Sequence, residues 1–260
     1  MIKLRLFFII IAGILLSGTV NTASAVSITG QGTWETTLQP RDLDGNSSTV
    51  EAYYDTALGI TWLAQTNTTP MNWANAQIYV TGLNIGGTTG WRLPTMVDTG
   101  TVGCNWANSG TDCGPNVDIS TSEMAHMFFV TLGNVSYRSP SSGTGPQPGW
   151  ADPSNTGPFS NLVTFYYWSS SNIVNPSLNC FDDVNRRLGL CAWYFDFKYG
   201  EQAEYSQTYS SLSWAVHSGD IGVATTVPLP PAAWLFGSGL LAFIRIVKRD
   251  NLPRLKNIRK

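Results

Sequence analysis

Apolar segments at both ends of this 260-residue chain limit the part that can fold as a globular domain. Near the N-terminus, Lys3 and Arg5 precede an apolar run over residues 6–16, and Ala23-Ser24-Ala25 follows as a small-residue cleavage site. This order predicts a secretory signal peptide over residues 1–25. The alternative is an N-terminal anchor that is never cleaved.

The C-terminal end consists of three consecutive segments: a proline motif over residues 224–231, an apolar segment over residues 232–249 and a basic tail over residues 250–260. The motif and the basic residues beside the apolar segment are Val227, Pro228, Leu229, Pro230, Pro231, Arg245, Lys248 and Arg249. The apolar segment approaches the length of about 20 residues that crosses a bilayer. The basic residues place the tail on the cytoplasmic side. We therefore predict a C-terminal membrane helix.

This arrangement of segments resembles the PEP-CTERM sorting signal of bacteria. The resemblance implies that an exosortase is a partner, and that the protein is secreted across the inner membrane. A C-terminal helix would anchor it in the membrane until it is sorted to the cell surface or the extracellular space. Leu229 stands where glutamate is common, and eleven residues follow Arg249. An anchor that is never cut is therefore the alternative.

The remaining residues, 26–223, have a length that suits one domain with a substantial core. They carry six basic and sixteen acidic residues, which gives a net charge of −10. Nucleic-acid binding needs basic patches, so this charge argues against a nucleic-acid partner. All ten tyrosines and nine of the ten tryptophans also lie here. The composition is typical of a loop-rich and aromatic-rich extracellular module.

The four cysteines, Cys104, Cys113, Cys180 and Cys191, all lie in this domain. An even number in a secreted chain predicts disulfides, and three pairings are possible. We favour the local pairs Cys104–Cys113 and Cys180–Cys191, each of which would contribute about 2–3 kcal/mol. A zinc site is the weaker alternative because no two cysteines have CxxC spacing.

Hydrophobic periodicity predicts two helices among short strands. The first helix begins after Asn72 as N-cap, and the second begins at residues 120–122 and ends at Gly133. Alternating patterns predict strands over residues 33–38, 51–55, 60–63, 165–169, 192–197 and 212–217. Two long loops, residues 98–119 and 134–161, remain between these elements, and loops of this length are usually functional or disordered.

A set of short motifs occurs in a fixed order between about residue 50 and residue 220. The motifs are Tyr54-Asp55, Gly59-Ile60-Thr61-Trp62-Leu63, Trp73-Ala74-Asn75-Ala76, Gly90-Trp91-Arg92-Leu93-Pro94-Thr95, Glu123, Tyr167-Trp168-Ser169-Ser170, Ala192-Trp193-Tyr194-Phe195-Asp196-Phe197 and Trp214-Ala215-Val216. In this order they resemble the Lcl C-terminal domain family. That family is similar to C-type-lectin-like domains. The resemblance implies an α+β fold in which two helices pack on twisted antiparallel sheets with long loops at one end.

The resemblance carries no catalytic residue, so candidate contacts come from residue type and fold analogy. We expect Tyr137 and Trp150 in the second long loop, and Ser169 and Ser170 near a loop end, to be ligand-binding residues. Trp91, Trp168, Trp193 and Trp214 are expected in the core, because each buries a large apolar area. Arg92 is expected to be a partly buried cation paired with Asp196 or Glu123.

Two acidic clusters, residues 42–46 and 182–185, are candidates for calcium, which takes six to eight oxygen ligands. The first resembles the start of an EF-hand loop, but Tyr53 occupies the twelfth position, where the bidentate glutamate belongs. We therefore expect solvated acidic loops and no bound metal, with calcium as the alternative.

An enzyme is not expected. The two histidines are His126 and His217, and no Gly-x-Ser-x-Gly motif is present. The sequence as a whole predicts a secreted, noncatalytic protein for binding or adhesion, with extracellular polysaccharide as the ligand. The alternatives are a structural or protein-contact component of the extracellular matrix and, more weakly, a hydrolase.

Overall fold

The computed structural model describes residues 31–99, 112–115, 117–152, 154–173 and 190–224. Their elements are helices α1 (Trp34–Thr37), α2 (Trp73–Thr81) and α3 (Glu123–His126), a π-helix (Met127–Thr131), and strands β1 (Leu38–Asp42), β2 (Ala52–Asp55), β3 (Ile60–Leu63), β4 (Tyr166–Asn172), β5 (Cys191–Asp196), β6 (Glu201–Ser206), β7 (Val216–Ser218) and β8 (Val223–Ala224). The predicted α+β class is confirmed. The second predicted helix is present as α3 continued by the π-helix.

Two antiparallel sheets organise these elements. The larger sheet has the order β7-β3-β2-β1-β8, and the smaller one has the order β4-β5-β6. The last described strand, β8, pairs with β1, so the two ends of the described domain lie side by side. Arg41 reinforces this closure with two hydrogen bonds of 2.6 and 2.8 Å to the carboxylate of Asp220.

Local signals position the two longer helical segments where the sequence predicts them. The Asn72 side chain accepts a hydrogen bond from the Asn75 N–H at 2.9 Å and caps α2. Ser122 does the same for Ala125 at the start of α3. Ala76 and Val80 are fully buried on one face of α2. A four-residue helix, α1, replaces most of the strand predicted over residues 33–38. The Thr37 N–H there bonds the Thr33 carbonyl.

The core consists largely of aromatic side chains, and the four tryptophans predicted in it are all at most 1% exposed. Trp62 and Trp214 pack against each other, tilted by 50° at a centroid separation of 4.4 Å, in the main hydrophobic cluster. A second cluster around Trp91 and Trp168 lies between α2 and the sheets. Buried rings of this size supply most of the hydrophobic stabilisation of such a small domain.

Several predictions fall outside the described residues. These are the signal peptide, the sorting motif from Val227 to Arg249, the predicted membrane helix, and the acidic cluster over residues 182–185. Among the described residues, no helix is long and apolar enough to cross a membrane. Cys104 and Cys180 also lie outside the described ranges, while Cys113 and Cys191 are buried and are not free thiols. The predicted pairing therefore stays a prediction.

Candidate functional site

One face of the smaller sheet carries a set of tyrosines. Tyr166 on β4 lies opposite Asp196 on β5, and Tyr194 on β5 lies opposite Ala203 on β6. Tyr205, two residues beyond Ala203, projects from the same face because side chains alternate along a strand. The intervening residues, such as Tyr167 and Phe195, point into the core and are fully buried. Trp168 and Ala192, which share the face of the tyrosines, are also fully buried, so only part of that face is open to solvent.

The half-exposed rings form a continuous series that we call the tyrosine row, and its members are Phe165, Tyr166, Tyr194, Tyr205 and Tyr209. Successive centroids are 5.1, 5.0, 5.5 and 4.0 Å apart, and Tyr166 also lies 6.3 Å from Tyr205, so the central three rings form a compact cluster. Phe165, at one end, is 38% exposed. Such contacts hold the rings in place and leave part of each ring open to solvent.

Three hydroxyl groups of the row, those of Tyr166, Tyr194 and Tyr205, are available for a ligand. Within the described ranges, no residue forms a hydrogen bond with the hydroxyl of Tyr166, Tyr194 or Tyr205. The buried Tyr167 differs, because its hydroxyl accepts a hydrogen bond of 3.0 Å from the Val163 N–H. Burial, and then the charge of Asp196, raise the pKa of Tyr166 and of Tyr194. Both hydroxyls are therefore protonated at neutral pH and can donate a hydrogen bond as well as accept one.

Two carboxylates, Asp196 and Glu201, lie at one end of the row and face each other across the β5–β6 hairpin. Burial raises the pKa of Asp196, although its Oδ1 accepts a hydrogen bond of 2.7 Å from the Lys198 N–H. Burial also raises the pKa of Glu201 to about 7, against the opposing effect of Arg138. The Arg138 Nε lies 3.2 Å from Glu201 Oε1. Glu201 is consequently poised to change charge near neutral pH.

The structure brings together two of the predicted ligand-binding residues, Tyr137 and Trp150, beside this carboxylate end. Their ring centroids are 5.0 Å apart, and Tyr199 packs on Tyr137 at 5.2 Å. The Trp150 indole N–H donates a 2.9 Å hydrogen bond to the Lys198 carbonyl. Both predicted residues are half-buried. They attach the long loop to the β5–β6 turn, and their ligand-binding role stays a prediction.

The other two predicted residues, Ser169 and Ser170, lie on a different part of β4. Ser169 is 1% exposed, and its hydroxyl oxygen accepts a hydrogen bond from the Ser171 N–H at 3.1 Å. Ser170 donates its N–H to the Pro94 carbonyl at 2.8 Å. A ligand in solution does not reach the Ser169 hydroxyl, because the residue is buried. The Trp73 indole N–H donates a 2.8 Å hydrogen bond to the Ser169 carbonyl.

Arg92 forms the predicted ion pair, and Glu123 is its partner. The two guanidinium Nη atoms donate to the two carboxylate oxygens at 2.8 and 2.7 Å, and the Thr95 N–H donates to Oε2 at 2.7 Å. Both carboxylate oxygens of Glu123 are therefore engaged, so its spacing of three from His126 does not form a metal pair. The His126 ring lies 3.4 Å from the Thr131 hydroxyl.

The acidic cluster over residues 42–46 gains a carboxylate that the sequence did not predict. Asp42, Asp44 and Glu51 bring carboxylate oxygens within 4.8 Å of one another. Glu51 is the tenth residue from Asp42, so the EF-hand spacing could not identify it. Asp42 Oδ1 accepts hydrogen bonds from the Asp44 and Gly45 N–H groups, which orders the start of the loop. The donor set would suit calcium.

Two grooves open elsewhere on the surface. One, of about 380 Å³, lies next to the acidic cluster between Glu51, Leu63 and Tyr79. The other, of about 300 Å³, lies between Val117, Phe129 and Gln147. Neither groove is lined by a residue of the tyrosine row.

Residue type and spacing do not assign the tyrosine row to a site. The tyrosines were visible in the strand motifs, but their common face depends on the pairing of β4, β5 and β6.

In comparisons with known proteins, residues 51–217 match the family model described as the Lcl C-terminal domain. No curated protein and no solved structure matches the chain.

Proposed function

The chain belongs to the Lcl C-terminal domain family, and from this premise we propose that it is a noncatalytic extracellular protein that binds polysaccharide through the tyrosine row. The proposal includes a C-type-lectin-like fold, in which long loops and the adjacent sheet form the binding face. It also includes secretion, sorting by an exosortase through the C-terminal signal, and membrane anchoring before sorting.

The observation that supports binding is the row of half-exposed rings, in which the hydroxyls of Tyr166, Tyr194 and Tyr205 have no hydrogen-bond partner among the described residues. The C–H faces of a sugar ring pack against an aromatic face, whose negative potential attracts them. The hydroxyls of Tyr166, Tyr194 and Tyr205 can exchange hydrogen bonds with sugar hydroxyls at the same time. Rings held by their neighbours lose little conformational entropy on binding, which favours affinity.

The location of Tyr137 and Trp150 supports an extension of this face. Both lie on the loop that packs against the β5–β6 turn, next to Asp196. A polysaccharide that extends beyond Tyr166 would meet the edge of this loop. We therefore include Tyr137 and Trp150 among the contacts of a bound chain, and we leave out Ser169 because it is buried.

The test is a binding screen of the purified full-length chain against soluble glucans, galactans, mannans and the exopolysaccharide of its own organism. Each titration is run with calcium and with EDTA. We expect saturable binding that Tyr166→Ala and Trp150→Ala each weaken by about tenfold, the effect of losing one stacking contact. Tyr79→Ala is the matched control, because Tyr79 is 38% exposed on α2, outside the row.

Each outcome of the screen has a separate meaning. Binding that is lost in EDTA would add calcium to the mechanism, with Asp42, Asp44 and Glu51 as its candidate ligands. Equal losses for Tyr79→Ala and Tyr166→Ala would show that the row is not the site. No saturable binding to any polysaccharide would refute the proposal and would leave a structural or protein-contact role in the matrix.

A further inference from the structure

We infer that the groove of about 380 Å³ beside α2 is a second binding site, and that it takes a small organic cation with one primary ammonium group on an apolar stem. The groove lies between the residues that precede β2, the end of β3 and the C-terminal half of α2. It contains no residue of the tyrosine row, so this site is separate from the proposed polysaccharide site.

The groove has the size of a small-molecule site. Ligand pockets have volumes of about 300–1,000 Å³. A volume of about 380 Å³ holds about a dozen nonhydrogen atoms at roughly 30 Å³ each, the share of a water molecule in the liquid. Thr49 and Gln65, which also line the groove, are exposed and polar. A protein interface buries about 800 Å² on each partner, so this groove suits a small molecule better than a protein.

Part of the lining is apolar. Leu63 at the end of β3, together with Leu83 and Ile85 after α2, lines the groove, and all three also pack against the hydrophobic cluster around Trp91 and Trp168. The core therefore sets the shape of this part of the groove. An aliphatic stem that lies against these side chains leaves water, and each buried methylene raises the affinity by up to about fourfold.

The charged part of the lining is negative. Glu51 lines the groove, and its carboxylate lies within 4.8 Å of carboxylate oxygens of Asp42 and Asp44. None of the nine described lining residues is a lysine, an arginine or a histidine. Arg41, the nearest basic residue in the sequence, is paired with Asp220 at 2.6 Å. The potential in the groove therefore favours a cation over an anion.

Two groups in the lining suit an ammonium ion in particular. Glu51 Oε2 accepts a hydrogen bond of 3.0 Å from the Leu43 N–H, and within the described part of the chain no residue donates to Oε1. Glu51 Oε1 can therefore accept a charge-assisted hydrogen bond from a ligand. Tyr79, which is 38% exposed, adds an aromatic ring whose face attracts a cation. A carboxylate, an aromatic ring and an aliphatic surface together favour an alkylammonium ion over a neutral or anionic molecule of the same size.

The first experiment compares ligands that share a stem and differ in charge. The full-length chain is titrated in EDTA, which keeps calcium off the carboxylates, with hexylamine, hexanol and hexanoate, and binding is followed by ligand-observed NMR. We expect hexylamine to bind at least about tenfold more tightly than hexanol, and hexanoate to bind more weakly still. Salt should reduce the preference because it screens the charges. Propylamine, which has three fewer methylenes, should bind about tenfold more weakly than hexylamine.

The second experiment locates the site with variants whose folding is checked by their urea midpoints. Glu51→Gln keeps an oxygen acceptor for the Leu43 N–H but removes the charge, and it should weaken hexylamine binding by about tenfold at low salt. Its control is Glu35→Gln, which changes an exposed glutamate on α1 outside the groove and should leave the affinity unchanged. Tyr79→Leu should weaken binding by about threefold, whereas Tyr79→Phe keeps the aromatic face and should not.

The outcomes are separate from those of the polysaccharide screen, because amines and polysaccharides are titrated independently. Equal affinities for hexylamine and hexanol would overturn the inference, and so would an unchanged hexylamine affinity in folded Glu51→Gln. If N-acetyl-lysine methylamide binds more than about tenfold more tightly than hexylamine, the groove takes a lysine side chain of a protein and the assignment to a free amine is wrong.

Discussion

Removal of the Glu123 carboxylate should destabilise the domain more than removal of an ordinary surface charge. Glu123 accepts three charge-assisted hydrogen bonds, two from Arg92 and one from the Thr95 N–H. The side chains of Arg92 and Glu123 are 28% and 16% exposed. The pair connects the start of α3 to a segment whose backbone bridges to Val216 on β7. Losing this ion pair therefore weakens a contact between two elements that are distant in sequence.

The loss in free energy of unfolding on removing the Glu123 carboxylate should lie between the values for exposed and buried ion pairs. Exposed pairs contribute about 0–1 kcal/mol, and removing one partner of a buried pair costs about 3–5 kcal/mol. The exposures of Arg92 and Glu123 place this pair between the two, so we expect Glu123→Ala to cost about 2–3 kcal/mol. Glu123→Gln keeps an acceptor for the Thr95 N–H and should cost about 1–2 kcal/mol.

The assay is urea unfolding followed by tryptophan fluorescence. Trp62, Trp91, Trp168, Trp193 and Trp214 are each less than 2% exposed, so unfolding changes their surroundings strongly. A double-mutant cycle with Arg92→Ala should give a coupling energy of about 1–2 kcal/mol at an unchanged m-value. The reasoning would be refuted if Glu123→Ala cost less than about 0.5 kcal/mol, the usual range for surface substitutions, or if the coupling were zero.

Two further predictions concern a tight turn and a buried carboxyl. Gly86→Ala should destabilise the domain by more than about 2 kcal/mol, because φ is +56° and a Cβ would lie 1.9 Å from the Leu43 carbonyl oxygen. Gly59→Ala, with φ of +68° and no atom within 4 Å, should cost only about 1 kcal/mol; equal urea midpoints for the two variants would contradict the clash. Burial raises the pKa of Glu201 to about 7, so the folded chain holds a proton that the unfolded chain releases at lower pH. The contribution of Glu201 to stability is therefore lost as pH rises through about 7. Glu201→Gln should reduce the fall in urea midpoint between about pH 5.5 and about pH 8. If the fall in urea midpoint is unchanged in this variant, other groups cause the pH dependence.

The predicted helices show which features depend on local sequence. The side chains of Asn72 and Ser122 cap helices because their oxygen atoms lie within three residues of the N–H groups that they accept from. The apolar face of α2, with Ala76 and Val80, follows from the helical period alone. Neither feature needs a partner from a distant part of the chain, so the sequence predicts both.

Strand β6, in contrast, depends on residues that are distant in sequence. Its sequence, Glu201–Ser206, is polar, and hydrophobic alternation does not identify it. Gln202 is nevertheless 1% exposed, because its side-chain oxygen accepts a hydrogen bond from Ser122 and its amide donates to the Asp112 carbonyl. These partners are 80 and 90 residues away. A buried polar strand of this kind can be recognised only when its long-range partners are known.

The sequence missed the carboxylate of Glu51 and wrongly predicted a strand over residues 33–38, and the two errors have related causes. Glu51 joins Asp42 and Asp44 because the loop that connects β1 to β2 folds back, and no standard metal-loop spacing describes that geometry. In the predicted strand, alternation of apolar residues competes with a hydrogen bond from the Thr37 N–H to the Thr33 carbonyl. The helical turn α1 forms there, and the strand begins only at Leu38.

The sequence alone determined the α+β class, the helix starts, the buried tryptophans and the family to which residues 51–217 belong. These features depend on residue type and on spacing within one element. The tertiary structure alone decided the arrangement of the tyrosine row, because its members come from three strands and their neighbouring turns. It also decided between Asp196 and Glu123 as the partner of Arg92. In both cases the contact joins residues that are far apart in the chain, and only strand pairing and packing bring them within reach.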